Sequence, residues 1–161
     1  MADMTIPVRR IVTGHDATGK AVVLIDDVPV AKLNTPGTQQ TVFWTTSGFP
    51  VNNDASADTR EDIDGITVPG GSVFRVVEYA PGRPPRNHRT DSIDYAIVMR
   101  GEIDMELDDG VSVHLRAGDV LVQRGTIHNW QNNGSEPCLI AFMLIDAKPV
   151  EAGGKTLNAT G

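Results

Sequence analysis

Cysteine is almost absent: Cys138 is the single one in 161 residues. That excludes a disulfide within the chain and any zinc cluster built on several thiolates. Long apolar runs are missing too, and none approaches the roughly 18 residues a membrane-spanning helix needs. The opening residues MADMTIPVRRIV lack the apolar centre of a secretory signal, so a cytoplasmic location is the expectation. Positive charge is scarce. The 14 Lys and Arg face 21 Asp and Glu, a net charge of −7. This excludes general binding to nucleic acid or to an anionic membrane surface, both of which need a basic patch. No lysine lies between Lys32 and Lys148. Schiff-base chemistry on a lysine therefore ranks low, as does a nucleophilic serine, since no Gly-x-Ser-x-Gly is found. No fixed-period repeat and no phosphate-binding glycine motif occurs.

What is present reads as one soluble all-β domain. A chain of this length buries a real core, and 40 % apolar with 22 % charged residues is an ordinary globular composition. Segments 8–13 and 21–25 flank the turn GHDATG and read as a hairpin, with His15 in the turn. TVFWTT (41–46) is a further strand. Residues 47–71 read as a loop with an acidic patch at EDIDG. VFRVVEY (73–79), IDYAIVMR (93–100), EIDMELDD (102–109), VSVHLR (111–116), DVLVQ (119–123), TIHNWQN (127–133) and PCLIAFMLID (137–146) follow. Turn signals separate them, and about ten short strands at this spacing indicate a barrel or sandwich. Residues 1–70 are read as N-terminal strands and loop of the same domain, 71–147 as the barrel core, and 148–161 as a small, polar, flexible tail.

Alternation adds detail, because side chains two apart share a face of a strand. In EIDMELDD, Ile103, Met105 and Leu107 share one face while Asp104, Glu106 and Asp108 share the other, so one face is buried and one wet. CLIAFMLI is apolar on both faces and needs a second cover, from the N-terminal hairpin or from a partner subunit. Arg75 and Tyr79 share one face of VFRVVEY. If that face is the inner one, Arg75 can clamp a substrate carboxylate; otherwise it is a surface or interface arginine. Tyr95 points away from Asp94, and His114 faces solvent. Arg83, Arg86 and Arg89 flank a histidine-bearing strand, where they either attract an anion or only solvate the rim. Cys138 reads as a small core residue.

Two stretches carry histidines of interest, GRPPRNHRTDSIDYAIVMRG (82–101) and GDVLVQRGTIHNWQN (118–132). Gly82, His88, Thr90, Asp94 and Gly101 fall at the places of the first motif of the cupin superfamily. Gly118, Gln123, Gly125, His128 and Asn132 fit the second, with one residue fewer after Gly118. Over about residues 72–146 the chain resembles that family of small β-barrels, which implies a single jelly-roll barrel with extra N-terminal strands; those strands and the two-sided apolar strand need covering, so a homodimer is expected. The motif departs from the family at Thr90, where a second histidine usually stands, at Asp94 in place of glutamate, and at Gln123 in place of proline.

The resemblance implies a divalent metal ion, Fe, Zn, Mn or Ni, on His88, Asp94 and His128, with Thr90 and Trp130 contacting a small-molecule substrate. Two imidazoles and a carboxylate leave coordination positions open for chemistry. The implied activity is a lyase or dehydratase, or an isomerase, on a small carboxylated or polyketide-like metabolite, with an Fe(II) dioxygenase as a further alternative. The same residues also read without metal: His88 or His128 as general base, oriented by Asp94. A barrel that binds a ligand without turnover, or histidines that only pack, are the remaining readings.

Overall fold

The computed structural model describes residues 6–54, 58–60, 63 and 65–161. Glu61, Asp62 and Asp64 of the acidic patch lie outside them. The strands among the described residues are β1 (Arg10–His15), β2 (Ala21–Asp27), β3 (Lys32–Thr35), β4 (Thr38–Ser47), β5 (Gly71–Tyr79), β6 (Ser92–Arg100) and β7 (Glu102–Glu106). They continue with β8 (Ser112–Arg116), β9 (Val120–Arg124), β10 (Asn129–Gln131), β11 (Cys138–Asp146), β12 (Val150–Ala152) and β13 (Lys155–Leu157). No described helix is long and apolar enough to cross a membrane.

Every strand pairing is antiparallel. The large sheet runs β3-β4-β5-β11-β6-β9 and the small one β10-β7-β8; β1-β2 and β12-β13 are separate hairpins. The main core lies between the two larger sheets. Val73, Val77 and Tyr79 of β5, Ala96 and Val98 of β6, and Ile140, Phe142 and Leu144 of β11 meet Ile103 and Met105 of β7, Leu115 of β8 and Trp130 of β10. The alternation read in EIDME is thus realised, with Ile103 and Met105 inside.

The two-sided strand β11 explains the N-terminal extension. Its outer residues Leu139 and Ala141 join Phe43 and Val76 in a second core, against which Ile6 and Val8 pack. The residues just before the β1–β2 hairpin supply this cover, while Ile6 N–H donates to the Glu78 carboxylate at 3.1 Å. The hairpin is fastened by Arg10, 4 % exposed, which pairs with Asp27 at 2.7 Å and with Asp58 at 2.9 Å.

Several boundaries differ from the sequence reading. His15 closes β1 rather than sitting in the turn. β7 stops at Glu106, because the chain enters a tight 3-10 turn at Asp108–Gly110 in which Asp109 takes φ 56°. β3 and the β12–β13 hairpin had no alternating apolar signature. The segment after Asp146, expected as a flexible polar tail, forms that hairpin and then pairs Thr160 with Arg89 through reciprocal backbone bonds of 3.0 and 2.9 Å. Gly101, between β6 and β7, has φ 77°, and a Cβ there would lie 2.7 Å from the Pro137 carbonyl oxygen. Only glycine fits both that backbone and that approach.

Candidate functional site

His88 and His128 come together through the backbone. They form an isolated antiparallel bridge in which each N–H donates to the other's carbonyl, at 3.0 and 2.9 Å. Directly opposed residues project to the same face, and the two rings stand with centroids 4.1 Å apart. His128 is buried and His88 partly so.

Each ring is oriented the same way. His88 Nδ1 lies 3.1 Å from the Arg86 carbonyl oxygen, and His128 Nδ1 lies 2.9 Å from that of Thr126. A carbonyl only accepts, so each Nδ1 carries the hydrogen and each Nε2 is left with its lone pair. Both rings are held neutral. Burial is the main cause for His128, with His88 and Arg86 adding to it, and its pKa falls to about 4. For His88 burial again leads, and the charges of Arg86, Arg75 and Arg83 lower it further. A cavity of about 210 Å³, lined by Asn87, Leu107, Asp109, Ile127 and His128, opens beside the pair.

Asp94 belongs to a different cluster. It points inward from β6, 3 % exposed, and both its oxygens have partners: Ser92 Oγ at 2.5 Å and Gln123 Nε2 at 2.8 Å. Ser92 Oγ also lies 2.8 Å from Thr90 Oγ1. Ser92 has one hydroxyl hydrogen, so while Asp94 is ionised that hydrogen goes to the carboxylate and Thr90 donates to Ser92. Burial raises the Asp94 pKa, opposed by Ser92, Arg75 and Gln123. Thr90 therefore sits at the end of a buried polar chain.

Arg75 faces into the barrel, since its face-mates Val73, Val77 and Tyr79 are core residues. The surface or interface reading of this arginine does not hold. Its Nη1 donates to Gln40 Oε1 at 3.0 Å, while Nε is buried without a partner. Burial lowers its pKa, with Tyr79 and Asp94 acting the other way.

Trp130 is 3 % exposed and wedged among Tyr79, Phe142 and His128, at centroid distances of 6.0, 5.6 and 6.2 Å. It is a core residue that also walls the His128 ring. Arg83 is no rim residue: it is 7 % exposed, donates to Thr38 Oγ1 at 3.0 Å and to the Trp130 carbonyl, and lies over the Tyr79 ring. Asn132, fully buried, donates to the carbonyls of Tyr79 and Glu136 at 2.9 Å each. Tyr95 lies on the outer face and His114 is exposed, paired with Asp104 and Glu102.

The three positions implied as metal ligands are not assembled as a set. Among the described residues no three His, Cys, Asp or Glu side chains form a group that could hold a metal ion. The physical reason is local: Ser92 and Gln123 hold the Asp94 carboxylate, while the Nε2 lone pairs belong to a bridge contributed by other segments. Two imidazoles offer the right atoms, but a resident metal centre ordinarily has three or more protein ligands. The donor set does not fit such a centre. Ser92 and Gln40 are the residues the sequence reading missed, and Gln123 entered it only as a motif position, not as the partner of Asp94. Ser92 shares a face with Asp94 by simple alternation, whereas Gln123 meets Asp94 only through the β6–β9 register.

Comparison with known proteins agrees with this architecture. The cupin domain family matches residues 75–145. Phomopsin biosynthesis cluster protein C' of Diaporthe leptostromiformis is 39 % identical over 158 residues, covering 92 % of this chain and 84 % of that protein. The cupin-domain-containing oxidoreductase fogC of Aspergillus ruber is 36 % identical over 158 residues, covering 92 % and 77 %. Among solved structures, KdgF from Halomonas sp. shares the fold, with a TM-score of 0.50 at 16 % identity over 71 % of this chain and 84 % of that one. This chain belongs to the cupin family.

Proposed function

We propose that this protein is a small-molecule cupin enzyme whose central step is a proton transfer, carried by the His88–His128 pair. The reaction class this supports is an elimination or isomerisation beside a carbonyl. The observation that carries the reading is the orientation of the two rings. Both Nδ1–H groups are engaged by carbonyls, neither Nε2 lone pair has a hydrogen-bond partner among the described residues, and burial keeps both rings neutral. A neutral imidazole with a free lone pair is a general base, and one that has taken up a proton is the acid for the return step. The ring spacing lets one imidazole abstract while the other returns the proton to a neighbouring atom.

Relatives named for biosynthesis clusters, and others named cupin-domain-containing oxidoreductases, support a role in making a small metabolite. No step is routed through a metal, since the donor set does not fit one. The homodimer expected from the N-terminal strands and the two-sided apolar strand is kept in the reading. Its support is the outer face of the large sheet, where register brings Tyr95 opposite Val122 and Ile97 opposite Val120, all of them exposed.

The test is deuterium wash-in. The chelator-treated protein is incubated in D₂O with a panel of small β-keto acids and aryl ketones, and incorporation beside the carbonyl is read by mass spectrometry. The reading expects catalysed exchange in wild type and its loss in His128→Asn and His88→Asn. Exchange that appears only with added metal, or that survives both substitutions, contradicts it.

A further inference from the structure

The barrel holds a guanidinium without a carboxylate partner. Among the described residues no Asp or Glu makes an ion pair with Arg75, and its Nη1 donates to the neutral Gln40 side chain. Asp94 is near enough to act on Arg75 electrostatically but is turned toward Ser92 and Gln123. The side chain is half-buried and its Nε is enclosed without a partner, so it has lost water without gaining a full counter-charge, an arrangement that is costly until an anion arrives. Gln123 Oε1 is likewise buried and unpartnered, on the Asp94 side.

Two further observations point to a ligand. Gln40 and Val42 share the inward face of β4 with Arg75 of the paired strand β5, as the register Val42↔Arg75 and Gln40↔Val77 requires. Both also line a cavity of about 620 Å³, together with Lys32, Ile63 and Arg60, so β4, the strand paired with that of Arg75, borders open space. That cavity also contains Asp27, which is engaged by Arg10 and Arg60. The interior around the histidines is electropositive as well. Arg75, Arg83 and Arg86 all act on His88, which links Arg75 to the proton-transfer pair at electrostatic range.

We infer that Arg75, held by Gln40, is the anchor for a carboxylate of the substrate, so that the molecule acted on is a small monocarboxylate entering from the Gln40–Val42 side. This rests on the proton-transfer reading for what happens next, but not for binding itself. A guanidinium takes a carboxylate through two parallel N–H···O bonds, which orients as well as holds it. A substrate pinned at Arg75 turns its acidic C–H, a few bonds from the carboxylate, toward the imidazole lone pairs.

The experiment uses benzoate as probe, with benzyl alcohol as its neutral counterpart. Binding to the full chain is measured by calorimetry and by the ¹H–¹⁵N signal of arginine Nε. Expected results are saturable benzoate binding, no comparable binding of benzyl alcohol, and a shift of the Arg75 signal. Arg75→Gln should weaken benzoate at least tenfold, Arg75→Lys less, and His128→Asn little. Asp94→Asn removes the nearby negative charge and should tighten benzoate several-fold, an outcome that does not depend on whether Arg75→Gln folds. Absence of saturable benzoate binding, equal binding of benzyl alcohol, or undiminished binding in Arg75→Gln overturns the inference. Loss of deuterium exchange in His128→Asn with benzoate binding intact would support both readings. Intact binding with exchange that survives His128→Asn would overturn only the proton-transfer reading.

Discussion

His88 and His128 exchange backbone hydrogen bonds at 3.0 and 2.9 Å, and this bridge sets their rings 4.1 Å apart. The two residues come from stretches 40 positions apart in the chain. Neither stretch alone defines the site, and the bridge fixes the orientation of both rings toward one face. Removing either imidazole should therefore lower turnover by about 10²–10⁴-fold, the usual contribution of a positioned acid or base. His88→Asn with His128→Asn should cost less than the product of the single losses, because the pair acts as a unit. Turnover of the substrate found by deuterium wash-in measures this, with circular dichroism to confirm that the barrel persists.

Acid stability follows from the depressed pKa of His128. Its folded value is about 4 against an ordinary 6.5. Between those values the unfolded chain takes up a proton that the folded ring refuses, so protonation favours unfolding. The stability contribution is whole above about pH 6.5, falls as pH drops, and is gone near pH 4. The full gap corresponds to about 3 kcal/mol. His88, also lowered, adds in the same direction, while the raised Asp94 pKa acts with the opposite sign at the acidic end. Denaturant midpoints at pH 7.5, 5.5 and 4.5 should fall more steeply in wild type than in His128→Gln. Equal slopes would remove the claim of a buried neutral ring.

Trp130 should behave as a core residue first. Truncating it to alanine is expected to cost about 3–5 kcal/mol, as for other buried large aromatics. Trp130→Phe, which keeps most of the contact with Tyr79 and Phe142, should cost about 1 kcal/mol. Thermal melts of the two variants separate packing from substrate contact: a Trp130→Ala protein with an unchanged melting temperature and lost activity would favour the contact role.

The outer face of the large sheet carries the oligomer prediction. Ile97 is 40 % exposed and Val122 57 %, beside Tyr95 and Val120. Exposed apolar side chains contiguous across paired strands mark an association surface. Ile97→Glu with Val122→Glu should leave the barrel folded and shift sedimentation from dimer to monomer. A wild-type protein that sediments as a monomer at 100 μM would contradict the homodimer.

The fold was legible because its strands announce themselves by alternation and by turns. Ile103 and Met105 against Asp104 and Glu106 is the clearest case, and the glycine and histidine spacing around Gly82, His88 and Gly101 carried the family. The N-terminal cover of β11 was half legible: its apolar outer face demanded a partner, and Ile6 and Val8 supply it. The site was less legible because it depends on register. His88 and His128 were read as site residues, but not their pairing across a bridge. Asp94 was grouped with them by motif, whereas Gln123 of β9 and Ser92 hold it elsewhere. Gln40 falls outside the strand that alternation marks, because β4 begins at Thr38, three residues before the sequence reading's start at Thr41. β12 and β13 lacked any apolar alternation, so a pairing of Thr160 with Arg89 could not be read from composition.

The central claim is that the barrel presents two basic imidazole nitrogens in neutral rings. Long-range ¹H–¹⁵N correlation on histidine-labelled, chelator-treated protein tests it most directly, titrated from pH 8 to pH 4. The account predicts the Nδ1–H tautomer for both His88 and His128 at pH 7, with His128 staying neutral until the pH nears 4. An Nε2–H tautomer in either ring, or a His128 that titrates near 6.5, would contradict it.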